Sequence, residues 1–144
     1  MKMMISTKGR YALRLLIDIA ENQGEGYIRL RDVAGRQEIS EKYLEIIARA
    51  LVQDGCLVGV RGKGGGYRLS RPPEEYNIRH VLEAAEGALA PVACVEDGLD
   101  CPRMSECPTL PLWQGLDKVI GEYLEGFTLA DLVPSNGKEG HTHV

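Results

Sequence analysis

Three cysteines, Cys94, Cys101 and Cys107, fall within one short stretch in a C-x6-C-x5-C arrangement. Thiolates are soft ligands that favour iron-sulfur clusters, zinc or copper(I). Zinc fingers and ribbons use tight C-x2-4-C pairs, which this stretch lacks, and three thiolates are one short of a complete tetrahedral sulfur site. The wider spacing, in a segment that has lost all periodicity, suits a cluster of several irons whose ligands splay further apart. Three unliganded thiols in a reducing compartment are the plainer alternative. Cys56, among apolar neighbours, reads as a small buried core residue.

A second stretch able to do chemistry is RGKGGGYRLS, residues 61 to 70, which sets Arg61 and Lys63 among glycines. A P-loop would need Ser or Thr after the lysine and a helix beyond, and a dinucleotide-binding turn would also open a helix. Here Gly64 follows Lys63, and the glycines lead into the alternating run of Tyr67 and Leu69. Val58 and Val60 alternate on the near side. The stretch is therefore a hairpin whose tip carries Arg61, Lys63 and Gly64 toward a phosphate backbone.

The elements that position this hairpin are legible upstream. Ser6 and Thr7 offer caps to a helix with Ala12, Leu15, Leu16, Ile19 and Ala20 on one face, ending near Gly24 and Gly26. A short extended YIR precedes LRDVAGRQ, a brief second helix. Ser40 caps a third, in which Leu44, Ile47, Ala48 and Leu51 form the core stripe and Gly55 suits the stop. Glu41, Lys42, Glu45 and Arg49 occupy its other face. Three helices and a hairpin make a winged helix-turn-helix, residues 1–73, whose third helix enters the major groove while the wing reaches the minor groove or backbone. The fold class is mainly α.

Residues 74–133 hold the helix NIRHVLEAAEG, the cysteine loop, and a helix of about four turns from Leu112, with FTLADLV as a short terminal helix. Leu112, Trp113, Leu116, Ile120, Tyr123 and Leu124 make a longer apolar stripe than one small domain needs, and predict a dimerisation helix. Residues 134–144 read as a disordered tail.

Charge divides the same way. Residues 1–71 hold 13 Lys and Arg against 8 Asp and Glu, and residues 72–144 hold 4 against 13. A basic front half attracts phosphate, and an acidic rear half belongs on the far side. The start lacks a signal-peptide h-region and no run approaches a membrane span, so a cytoplasmic location is expected. No CxxC pair, Ser-His-Asp order or metal-hydrolase motif supports an enzyme.

STKGRYALRLLIDIA, ISEKYLE, VRGKGGGYRLS, the three-cysteine loop, CPTLPLWQGL and FTLADLV together resemble the Rrf-two family of bacterial transcription regulators. The likeness runs from Met4 to about Val133 and is greatest to the iron-sulfur cluster regulator (IscR) branch. That resemblance implies a homodimer with a winged helix-turn-helix, a long crossing helix and a 2Fe-2S cluster on three cysteines plus one other ligand, with 4Fe-4S as the alternative nuclearity. Cys94, Cys101 and Cys107 match the cysteines. Ser40, Tyr43 and Glu45 match recognition-helix positions, and Arg61 matches the minor-groove arginine of the wing. Lys42 stands where the family can have a small polar residue.

The match breaks at the fourth ligand. The branch has a histidine three residues after the last cysteine, where this chain has Leu110. The nitric-oxide-sensing branch uses an aspartate of helix one, where this chain has Arg10 or Lys8. Glu96, Asp97, Asp100, Glu106, His80, an external thiol or water remain.

The function expected is a homodimeric, sequence-specific DNA-binding regulator whose binding responds to an iron-sulfur cluster on the loop, a redox-sensing arrangement. The alternative is a metal-free, thiol-based or partner-modulated regulator of the same fold.

Overall fold

The computed structural model describes residues 5–24, 26–87 and 108–134. Its elements run α1 (Thr7–Asn22), α2 (Leu30–Gln37), α3 (Glu41–Gln53), β1 (Leu57–Val60), β2 (Gly66–Leu69), a 3-10 turn (Pro73–Glu75), α4 (Ile78–Glu86), α5 (Leu110–Glu125) and α6 (Leu129–Leu132). Cys94, Cys101 and Cys107 lie outside the described residues, as does the tail after Pro134.

α1 begins where Ser6 Oγ accepts from the Lys8 N–H, and it turns Ala12, Leu15, Leu16 and Ile19 wholly inward. α2 is held by a buried charge. Asp18, on the inner face of α1, is 2% exposed and accepts from Arg36 at 2.7 Å and from Gln37 Nε2 at 2.9 Å. The bonded carboxylate raises the Arg36 pKa above its ordinary value, against the smaller opposing effect of desolvation. Arg14, one turn earlier, donates to the Gln37 side-chain and main-chain oxygens and so satisfies the end of α2.

Glu38 adopts the left-handed conformation at φ 55°, which reverses the chain within three residues. Ser40 then caps α3, its Oγ accepting from the Tyr43 N–H. Leu44, Ile47, Ala48 and Leu51 are buried as their spacing predicts, and Gly55 at φ 82° ends the helix.

β1 and β2 pair antiparallel with Leu57 opposite Leu69 and Val60 opposite Gly66. Ile28, in the extended link before α2, bridges to Tyr67 and adds a single rung on the free edge of β2. That rung explains the glycine run. Gly66 sits at φ 145°, and a Cβ there would run into the Ile28 carbonyl; one on Gly65 would strike the Val60 carbonyl. These glycines serve backbone approach.

α4 closes the core from below, with Ile78, Val81 and Leu82 buried in the same cluster as α1 and α3. Tyr76 is fully buried, its hydroxyl donating to the Cys56 carbonyl at 2.5 Å. Leu129 of α6 joins this cluster, and an Asn77–Thr128 bridge ties the chain's two late segments together.

α5 starts at Leu110, two residues before the apolar stripe, because Pro111 fits the first turn of a helix. It touches the body along one edge: Arg79 lies over Gly121 and pairs with Glu125 at 2.6 Å. Leu124 and Phe127 pack on the core. No helix among the described residues is long and apolar enough to cross a membrane.

Candidate nucleic-acid interface

A groove of about 770 Å³ runs between α3, the start of α2 and the wing. Five cationic side chains line it, Arg29, Arg31, Arg49, Arg61 and Lys63, against two carboxylates, Glu41 and Glu45. All seven belong to the basic half of the chain. Among the described residues none of the five cations forms an ion pair, so their charge faces solvent. The planar fork of a guanidinium matches two phosphate oxygens and can bind them bidentately.

Of the wing residues singled out above, Arg61, Lys63 and Gly64 are all exposed at the hairpin tip, Gly64 with φ 80°. On α3, Lys42 and Glu45 are exposed on the outward face. Tyr43 is half-buried instead: its hydroxyl shares a hydrogen bond of 2.8 Å with Thr7 Oγ1, and its ring meets Tyr11 edge-on at 5.6 Å. Arg14 in turn lies over Tyr11 at 5.3 Å. Tyr43 thus joins α3 to the beginning of α1.

Three contributors escaped the sequence reading. Arg29 and Arg31 enter the groove from the first turn of α2, which the Ile28–Tyr67 rung pulls against the wing. Ile46 is 55% exposed on the same outward face as Lys42, Glu45 and Arg49. The i, i+3, i+4, i+7 series 42, 45, 46, 49 is a signal that could have found it.

Elsewhere, the expected dimerisation stripe divides. Leu112, Leu116 and Tyr123 are 62%, 40% and 55% exposed, Trp113 and Ile120 are partly covered, and Leu124 faces the chain's own core. Val119, 62% exposed, completes a 112, 116, 119, 123 series. Alternating steps of four and three are the seam of a helix that packs on another helix.

Cys56 is fully buried, as its neighbours predict. Burial foremost, with Asp54 adding to it and Arg71 opposing, pushes its thiol up to about 11. It therefore stays a protonated thiol near neutrality. His80, one of the possible cluster ligands, pairs with Asp54 at 2.6 Å. Glu96, Asp97, Asp100 and Glu106 lie outside the described residues.

The family profile of Rrf2, the iron-dependent transcriptional regulators, matches residues 5–135. The chain is 40% identical over 131 residues to the protein rrf2 of Nitratidesulfovibrio vulgaris, covering 91% of this chain and 87% of that one. It is 36% identical over 135 residues to the HTH-type transcriptional regulator IscR of Aliivibrio salmonicida, covering 93% and 79%. Among solved structures it is similar to CymR, the global cysteine regulator of B. subtilis, with 35% identity and a TM-score of 0.70 over 89% of this chain and 94% of that one. These relatives are regulators of transcription and not enzymes, and their winged-helix fold is the one described above. The chain belongs to the Rrf2 family of transcriptional regulators.

Proposed function

We propose that the protein is a homodimeric, sequence-specific DNA-binding regulator whose operator binding depends on an iron-sulfur cluster carried by Cys94, Cys101 and Cys107. The observation that carries the DNA-binding part is the groove between α3 and the wing, lined by five cations that form no ion pair among the described residues. α3 supplies base readout. Glu45 accepts from cytosine N4 and repels bases that offer only acceptors, and Ile46 offers an apolar surface to a thymine methyl. Arg29, Arg31, Arg49, Arg61 and Lys63 supply affinity through phosphates, or through a narrow minor groove at the wing.

The exposed series Leu112, Leu116, Val119 and Tyr123 supports dimerisation, which would present two recognition helices to two half-sites.

Three thiolates are a donor set that fits an iron-sulfur cluster, and the likeness to IscR supports that choice over zinc. Bound there, the cluster would supply a redox-responsive group that orders the loop. The chain's own residues carry the consequence onward. Glu86, eight residues before Cys94, accepts from Ser6 and Gly9 at the start of α1, and Thr7 between them bonds Tyr43 of α3. The end of α4 is thereby tied to α3 through the first turn of α1, with Glu86 bonded on either side of the residue that bonds Tyr43.

The likeness to the cysteine regulator CymR favours a second reading, a metal-free regulator governed by the thiols themselves. Anaerobic purification separates the two. Brown protein with iron and sulfide in stoichiometric amounts supports the cluster, and colourless, iron-free protein that binds DNA supports the thiol regulator. DNA binding itself is tested by titrating operator across a salt series, where a steep fall of affinity with salt is expected and salt-independent or absent binding would overturn the groove's assignment.

A further inference from the structure

A second cluster of ligating side chains lies at the C-terminal end of α3. Asp54 caps the C-terminus of α3, Cys56 stands one residue before β1, and His80 is in the first turn of α4. Their ligand atoms all lie within 4.8 Å of one another. Asp54 Oδ2 is 2.6 Å from His80 Nε2 and 3.6 Å from Cys56 Sγ.

We propose that Asp54, Cys56 and His80 form a binding site for a borderline divalent cation of the zinc class, distinct from the three-cysteine loop.

The donor set is one thiolate, one imidazole and one carboxylate, the mixed sulfur, nitrogen and oxygen shell that zinc accepts. Donors about 2.0–2.3 Å from one tetrahedral ion stand roughly 3.3–3.7 Å apart. The sulfur-to-oxygen separation already has this value, and the imidazole, 53% exposed in side chain, has room to turn and widen its 2.6 Å approach to Asp54. Water completes the tetrahedron on the exposed side. Binding replaces the thiol proton, which leaves to solvent, and exchanges the Asp54–His80 hydrogen bond for two metal bonds.

The backbone carrying the ligands is fixed before any ion arrives. The Cys56 N–H donates to the Leu51 carbonyl at 2.8 Å, and its own carbonyl accepts from Tyr76. The His80 N–H donates to Asn77 Oδ1 at 3.2 Å. His80 lines a shallow cleft together with Glu75, Glu83, Glu125, Arg71 and Arg79, so three carboxylates face an incoming cation alongside two guanidinium groups. An ion here would staple the end of the recognition helix to the root of the wing and to α4. It would be an input to the DNA-binding face independent of the loop.

The test uses the full chain carrying Cys94→Ser, Cys101→Ser and Cys107→Ser, so that the loop contributes no thiolate, and titrates it anaerobically with cobalt(II). The site predicts one cobalt per chain, a sulfur-to-cobalt charge-transfer band, and displacement by zinc. Adding Cys56→Ser should abolish the band. Adding His80→Ala, an exposed position whose loss leaves the core intact, should weaken cobalt binding at least about tenfold while circular dichroism stays unchanged. No charge-transfer band in the triple variant, or an affinity indifferent to His80→Ala, would overturn the site.

Discussion

The Glu86 carboxylate caps α1 from the far end of α4: it accepts from the Ser6 N–H at 2.5 Å, the Ser6 hydroxyl at 2.8 Å and the Gly9 N–H at 2.9 Å. The absence of a Cβ on Gly9 leaves room for that carboxylate, which would otherwise have to shift. An anion at a helix N-terminus both satisfies orphan N–H groups and opposes the helix dipole. Glu86→Ala should therefore cost about 1–2 kcal/mol and lower the melting temperature by several degrees. Glu86→Gln, keeping an acceptor without the charge, should recover part of that loss. Thermal melts of both variants check this, and a full loss with Glu86→Gln would assign the effect to charge alone.

The buried pair on α1 and α2 predicts an asymmetry. Arg36 has a side chain 40% exposed, whereas Asp18 is buried. Arg36→Ala strands a carboxylate inside the fold with only Gln37 and Asn22 as donors, and should cost about 3 kcal/mol or more. Asp18→Asn leaves a guanidinium that can turn to water, and should cost less. Urea unfolding midpoints of the two variants decide it; equal losses would contradict the account.

In the groove, the sign of charge separates affinity from readout. Arg49→Ala and Arg61→Ala should each weaken operator and unrelated DNA alike and reduce the salt slope by about one phosphate. If Arg61 lies in a narrow minor groove, its loss also lowers preference for A/T-rich flanks. Glu45→Ala should do the reverse, relaxing base preference by about 1–3 kcal/mol per contacted pair with nonspecific binding unchanged or stronger. Selection from random DNA returning one motif for both wild type and Glu45→Ala would remove Glu45 from base readout.

The exposed seam of α5 yields a third kind of outcome. Leu116→Glu combined with Val119→Glu places charge where a partner helix would pack, and should halve the mass measured by light scattering while leaving the melting of the DNA-binding core little changed. A mass unaffected by the pair would move the dimer contact elsewhere.

What the sequence made legible was what short-range periodicity encodes. The α3 stripe of Leu44, Ile47, Ala48 and Leu51, its Ser40 cap, the alternating wing and the buried Cys56 could each be read within a dozen residues. What escaped depends on tertiary approach. Arg29 and Arg31 become groove residues only because Ile28 pairs with Tyr67, nearly forty positions away. Tyr43, expected at a DNA-contacting position of α3, also bonds Thr7 and meets Tyr11 of another helix, which spacing along α3 does not encode. The Asp18–Arg36 pair and the Asp54–Cys56–His80 cluster are likewise invisible until helices pack. Leu124, on the apolar side of α5, could not be sorted by spacing between the partner-facing seam and the chain's own core.

The central claim is that the state of Cys94, Cys101 and Cys107 governs which DNA the α3–wing groove binds. The most direct measurement is anaerobic binding of cluster-loaded protein and of the Cys94→Ala, Cys101→Ala, Cys107→Ala variant to one panel of selected operators, with iron content and mass recorded on the same samples. The account predicts that the variant lacks iron, remains a dimer, and loses those operators that require an ordered loop while keeping others. Full iron in the variant, or an operator profile identical to that of the loaded protein, would contradict it.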